Sequence, residues 1–254
     1  MHPLPDIGVS TSAYARVPLA AALRRIAELA PAAEIRSFGA HTLLERDNVR
    51  AAAAAGLRLS VHGPILGTGL GSPDEPLRRA DLELHRRHLV VAAELGATLY
   101  VVHPDWTREP RPRDPAVVAA LERSFVDLVA LREDTGVPIV IENMPGSGHS
   151  HFTAPGDLDL HGLGLLLDVG HAAISGTLGA WLADPRAPLR HLHLHDNHGL
   201  GDSDDPHLPL GAGVVDAAAA LAAARAAGAS VVLEHNREDD VVASLEHLRS
   251  RGLI

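Results

Sequence analysis

Eight times along the 254 residues, a short apolar run rich in Val, Ile and Leu gives way to a longer stretch, and most of these stretches show helical spacing. Such alternation belongs to βα units around a parallel sheet. The spacing predicts strands at 6–10, 33–37, 57–62, 98–103, 137–142, 164–168, 190–195 and 230–234. Helices are predicted at 18–30, 43–55, 75–95, 114–134, 214–227 and 238–251, and Gly56, Gly96, Gly136 and Gly228 just past four of them read as C-caps. The fifth and sixth units are weaker: 155–160 offers a turn or two of helix, and 174–179 interrupts the stretch after strand six. An open doubly wound sheet would favour a glycine-rich turn after strand one, where this chain has Ser10-Thr11-Ser12-Ala13-Tyr14. A single α/β domain over 1–254, a closed (β/α)8 barrel, is the expectation, and the length suits it.

What the chain lacks narrows its chemistry. All 22 basic residues are Arg, with no Lys, Gln or Cys. Schiff-base lysines, thiolate nucleophiles, disulfides and cysteine-held zinc are thereby excluded, so any metal must sit on His and carboxylate. The formal charge of −10 argues against a generally basic nucleic-acid surface, although three bound divalent ions would bring it to about −4. The start, MHPLPDIGVS, has no charged region leading into an apolar run, and no apolar stretch reaches 18 residues, so a soluble cytoplasmic protein is expected.

The 17 histidines are the anomaly, because many directly follow the apolar runs. In a barrel of this kind the residues ending the strands converge on one face. Strand three ends in His62, strand four in His103 and strand five in Glu142. Strand six ends in Asp168, with His171 three residues on; strand seven carries His193 and His195, and strand eight ends in Glu234. One strand-end histidine means little, but six successive strands ending in imidazole or carboxylate point to metal. Asp205-x-His207 in the loop after strand seven adds a carboxylate and an imidazole whose alternate spacing can aim both the same way in an extended loop, although Asp202, Ser203, Asp204, Asp205 and Pro206 taken alone read as a polar turn.

On these residues the chain resembles the xylose-isomerase-like TIM barrels, the superfamily that joins endonuclease IV (AP endonuclease family 2) with sugar and sugar-phosphate isomerases and epimerases. The motifs are His62-Gly63-Pro64, His103-Pro104, Glu142-Asn143, Asp168-Val169-Gly170-His171, His193-Leu194-His195-Asp196, Asp205-Pro206-His207 and Glu234. In endonuclease IV nine ligands hold three zinc ions. The resemblance implies that His62, His103, Glu142, Asp168, His171, His193, Asp205, His207 and Glu234 hold two or three divalent ions here, with zinc first and Mn²⁺, Fe²⁺ or Co²⁺ as alternatives. Two departures concern DNA. Endonuclease members press a tyrosine and a leucine into the duplex after the strand-three His-x-Pro, where this chain has Ile65-Leu66 and then Gly67-Thr68-Gly69. Their strand-two loop inserts an arginine, whereas Ser37-Phe38-Gly39-Ala40-His41 offers none.

The departures and the charge rank a metal-dependent isomerase or epimerase first. Its substrate would be a small sugar, sugar phosphate or hydroxy-keto acid, with Glu142 and Glu234 moving the proton of an enediolate mechanism. A phosphodiesterase or AP endonuclease with a trinuclear zinc site ranks second, and nucleic acid is the less favoured partner. Xylose isomerase itself needs an active-site lysine that this chain does not have. Trp106, Arg108, His195 and Arg237 are weaker candidates for substrate contact, as are Arg111, Arg113 and His198, while His149 and His151 lie in a Gly/Ser loop that reads as a lid. His85, His88, His161 and His247 read as surface residues.

Overall fold

The computed structural model describes residues 7–65, 69–107, 109–146, 148–201 and 205–254. Eight parallel strands pair in sequence order and close on themselves: β1 (Ile7–Ser10), β2 (Ala32–Arg36), β3 (Arg58–His62), β4 (Tyr100–Val102), β5 (Ile139–Glu142), β6 (Gly164–Asp168), β7 (Leu189–Leu194) and β8 (Ser230–Leu233). Around them lie α1 (Leu19–Leu29), α2 (Arg46–Ala53), α3 (Glu75–Glu94), α4 (Pro115–Thr135), α5 (Val169–Ile174), α6 (Leu178–Ala183), α7 (Ala217–Ala227) and α8 (Glu238–Ser250). The expected (β/α)8 TIM barrel is the fold. No helix among the described residues is long and apolar enough to cross a membrane.

Helix ends follow the local chemistry. Asp114, Asp168 and Asp216 cap α4, α5 and α7 by accepting backbone N–H bonds, and Gly136 and Gly228 end α4 and α7 at φ of 70° and 66°. Strand period two sorts the side chains. On β7, Leu192 and Leu194 join the apolar layer beneath the helices, while His191, His193 and, just beyond the strand, His195 alternate with them. At the N-terminal ends of the strands, small residues such as Ala32, Gly164 and Ser230 leave a cavity of about 640 Å³, also lined by Ser60 and His191.

Two expectations are corrected here. Among the described residues no helix follows β5, so 155–160 is not helical. Gly156 and Gly162 take left-handed φ of 85° and 81°, and Asp157 instead holds a turn by accepting from Thr153 and Ala154 N–H. Buried Phe152, Leu158 and Leu160 cover the sheet there, with Phe152 edge-on to Trp181. His85 and His88 are not on the surface but on the buried stripe of α3 with Leu82 and Leu89. His85 Nδ1 meets the Tyr100 hydroxyl at 3.0 Å, and burial pushes its pKa down to about 3. Their i, i+3, i+7 spacing with the leucines was the available signal.

Candidate metal centre

All nine expected ligands gather at the C-terminal mouth of the barrel, Asp205 and His207 from the loop after β7 and His171 from α5, and the barrel sorts them into three groups. His62 at the end of β3 and His103 just past β4 both reach Glu142 Oε2, through their Nε2 atoms at 3.1 and 3.0 Å. His193 Nδ1 faces Glu234 Oε2 at 2.9 Å, Glu142 Oε1 at 3.6 Å and Asp168 Oδ2 at 3.6 Å. Asp205 Oδ2 lies 3.2 Å from His171 Nε2 and 3.5 Å from His207 Nε2. The donor atoms within each group lie within 4.8 Å of one another. Glu142 belongs to two groups, one oxygen toward each.

Hydrogen bonds decide which nitrogen three of the histidines turn to the site. The carbonyls of Gly63, Asn143 and Glu234 accept from Nδ1–H of His62, His171 and His207, each at 2.9 Å. A carbonyl can only accept, so Nδ1 carries a proton in each of these rings, and Nε2 is the nitrogen that faces the group and offers its lone pair when the ring is neutral. Asp168 Oδ1 caps α5 by accepting from His171 N–H at 2.8 Å, which fixes both on one side of the mouth. Asn143 clamps β5 to β6: its Oδ1 accepts from Asp168 N–H and its Nδ2 donates to the Asp168 carbonyl.

Loop seven reaches the site by another route than the extended one expected. Asp205 and His207 both adopt left-handed backbone, at φ of 36° and 50°. For non-glycine residues this costs about 1–3 kcal/mol each. Asp196 offsets it: one oxygen accepts from Gly211 and Gly213 N–H, the other from Asn197 and Val215 N–H, and its backbone pairs with Leu208.

The electrostatics of the metal-free chain are those of carboxylates held among imidazoles. Burial opposes ionisation of Glu142 and Asp168, yet neighbouring histidines outweigh it and hold both well below the usual carboxylate range. Burial likewise opposes a charge on His171, but Asp168 and Asp205 raise it to about 10. Some needs stay unmet. His193 Nδ1, His195 Nδ1 and Asp205 Oδ2 are buried without a hydrogen-bond partner, an expensive state that a bound cation would relieve at His193 and Asp205. Imidazole and carboxylate donors in groups of three and four suit zinc and its first-row neighbours, so the residues fit the expected ions.

The weaker candidates divide. His195 is fully buried, meets Asp168 Oδ1 at 3.1 Å and stacks on His207 with centroids 4.0 Å apart. It packs against two of the candidate ligands. Trp106 is 41% exposed and stacks on His149 at the rim. Arg237 is exposed beside Asp239, while Arg108 falls outside the described residues, as do Leu66, Gly67 and Thr68 of loop three. Arg113 donates to the carbonyls of His151 and Asp157, and Arg111 N–H to the Gly148 carbonyl. His149 is tied to the Thr107 carbonyl and His151 to Asp105 at 2.6 Å, so the residues that read as a lid are bonded to loop four. His198 and His161 are exposed and His247 half-buried.

Sequence reasoning missed Glu34, the middle residue of β2. It is completely buried and contacts His191 and His193. A carboxylate inside the short run Ala-Ala-Glu-Ile-Arg was the signal.

With this geometry in view, comparison with known proteins is decisive for the family. The model describing the xylose isomerase-like TIM barrel matches residues 28–251. The chain belongs to that family. It is 29% identical over 220 residues to a probable endonuclease 4 of Mycobacterium marinum, covering 81% of this chain and 84% of that protein. A D-tagatose 3-epimerase-like protein superposes with a TM-score of 0.83 at 26% identity, covering 96% of both chains. The TTHB071 protein of Thermus thermophilus, its crystal soaked with ZnCl2, superposes at 0.73 with 29% identity, covering 96% of this chain and 97% of that one. Family and fold are thus shared with both sugar-epimerase-like and endonuclease-like proteins.

Proposed function

We propose that this chain is a divalent-metal-dependent phosphoesterase in which the nine strand-end residues hold three ions. The carrying observation is their grouping into three sets, with Glu142 shared between the first two. Enolising a sugar needs one ion, whereas phosphate-ester hydrolysis gains from positive charge on both the attacking and the leaving side. Bound ions would supply that charge and lower the pKa of water. The chain's own residues do the holding: Glu142, Asp168, Asp205 and Glu234 bring negative charge, and His62, His103, His171, His193 and His207 bring imidazole donors, oriented by backbone carbonyls at His62, His171 and His207. The relative named as a probable endonuclease 4 supports this reading. A formal charge of −10 favours a small phosphate ester over duplex nucleic acid as substrate.

One observation favours a second reading, the isomerase or epimerase that ranks first on sequence alone. Glu142 and Glu234 share the central group with Asp168 and His193, so the two glutamates are placed to take and return a carbon-bound proton. The likeness to the D-tagatose 3-epimerase-like protein supports it.

Zinc-loaded wild type and Glu142→Gln distinguish the two. Hydrolysis of bis(p-nitrophenyl) phosphate, lowered at least about 10²-fold in Glu142→Gln, is expected, with weak or no cleavage of an abasic-site duplex. No phosphodiester hydrolysis, together with deuterium uptake from D2O into ketoses or ketose phosphates, would establish the second reading instead. Less than half an equivalent of divalent metal in total, with no tight binding on re-addition, would overturn both.

A further inference from the structure

Glu34 lies one layer below the candidate ligands, inside the barrel, and is completely buried. Its two oxygens meet three side-chain groups: Oε1 meets His193 Nε2 at 2.8 Å, and Oε2 meets His191 Nε2 at 2.9 Å and the Ser60 hydroxyl at 3.1 Å. An ionised carboxylate can only accept, so each of these groups donates to it. The other nitrogen of His191 meets the Ser230 hydroxyl at 2.6 Å. The other nitrogen of His193, Nδ1, has no hydrogen-bond partner and looks up at Glu142, Asp168 and Glu234. His193 thus differs from His62, His171 and His207, which point Nε2 at the site because backbone carbonyls take their Nδ1–H.

We infer that Glu34 is a positioning residue which, by taking the Nε2–H of His193, fixes the tautomer in which Nδ1 of that histidine is the lone-pair donor to the central ion. The inference rests on the metal-centre reading. Imidazole oriented by a carboxylate is also a stronger donor, and loss of such a partner typically lowers metal affinity by about 10–100-fold. His191 and Ser60 satisfy the carboxylate's remaining capacity, so it stays directed at His193 rather than turning away.

Glu34, His191 and His193 also form a group close enough to hold an ion of their own. Their hydrogen bonding argues otherwise: His191 and Glu34 have no unmet side-chain donor or acceptor, and the orphaned atom of His193 is the one on the opposite side.

Glu34→Gln tests this with little change in shape. Competition with a chromophoric chelator reads zinc stoichiometry and affinity in wild type and variant. Three zinc ions in wild type, one of them bound about 10–100-fold more weakly in Glu34→Gln and two unchanged, is the expected result. A second measurement needs no variant. In zinc-loaded wild type labelled with ¹⁵N-histidine, His193 should show a protonated Nε2 and a metal-bound, unprotonated Nδ1. Unchanged affinities in Glu34→Gln, zinc on Nε2 of His193, or a fourth equivalent seated at Glu34 would each overturn the inference while leaving the metal centre intact. Wild type that takes up no zinc would overturn the metal-centre reading itself.

Discussion

Gly170→Ala puts a single methyl group where the site has no space. Gly170 lies in the first turn of α5, between the candidate ligands Asp168 and His171. A Cβ there would come within 2.6 Å of His195 Nε2 and 2.7 Å of its Nδ1, and closer still to Cε1. Ordinary contact lies near 3.5 Å, so the ring must retreat by about 1.5 Å. Its far face is already stacked on His207, 4.0 Å away at 8°, and its Nε2 is bonded to Asp168. Overpacking costs about 1–3 kcal/mol and loss of a charged hydrogen bond about 1.5–3 kcal/mol, giving about 2.5–6 kcal/mol together. At about 2–4 °C per kcal/mol for a chain of this size, Tm should fall by about 5–24 °C. Because Asp168 and His207 belong to different groups of the centre, zinc affinity should fall as well. Gly179, in α6, has nothing within 4 Å of its would-be Cβ, so Gly179→Ala should leave Tm unchanged or raise it slightly. Differential scanning calorimetry and zinc competition on both variants check this. A Gly170→Ala protein that melts within a degree of wild type with full zinc would refute the packing argument and the place given to His195.

His85→Ala should cost about 2–4 kcal/mol, a fall in Tm of about 4–16 °C, because it opens a cavity behind β4 and strands the buried Tyr100 hydroxyl; an unchanged melting curve would contradict that burial. The metal-free protein should be most stable near pH 6.5. His171 and His195, raised against burial by Asp168 and its neighbours to about 10 and about 9, contribute stability that is complete below 6.5 and lost as pH rises through those values. His85 and His235, driven down by burial to about 3 and about 4, take up protons on unfolding, so stability also falls below 6.5. Thermal melts of chelator-treated protein from pH 5 to 10 should trace that maximum, and a Tm still rising from pH 7 to 9.5 would show the signs to be wrong. Zinc-loaded protein should not share the alkaline fall, since a bound ion takes the place of the proton on His171.

The sequence by itself determined the barrel and the nine residues gathered at its mouth. Period-two apolar runs ending in imidazole or carboxylate define the strands and deliver His62, His103, Glu142, Asp168, His193 and Glu234 to one face, while His171, Asp205 and His207 joined the expected set through the motifs shared with the resembled family. The glycine stops were legible for the same local reason, and the missing fifth helix was foreshadowed by Pro155, Gly156 and Gly162. The tertiary structure alone decided what depends on atoms far apart in the chain. Glu34 meets His193 across 159 positions, and no local pattern on β2 specifies that contact. Glu142 divides its two oxygens between His62 and His103 on one side and His193 on the other, which only barrel closure can arrange. The left-handed backbone of Asp205 and His207 depends on Asp196 reaching forward to Gly211, Gly213 and Val215. The order of the two functional readings turns on such contacts. Composition and loop residues favoured proton transfer, while three groups of candidate ligands, two of them sharing Glu142, favour phosphoester hydrolysis, because ligand grouping is set by distances between strands and not by spacing along them.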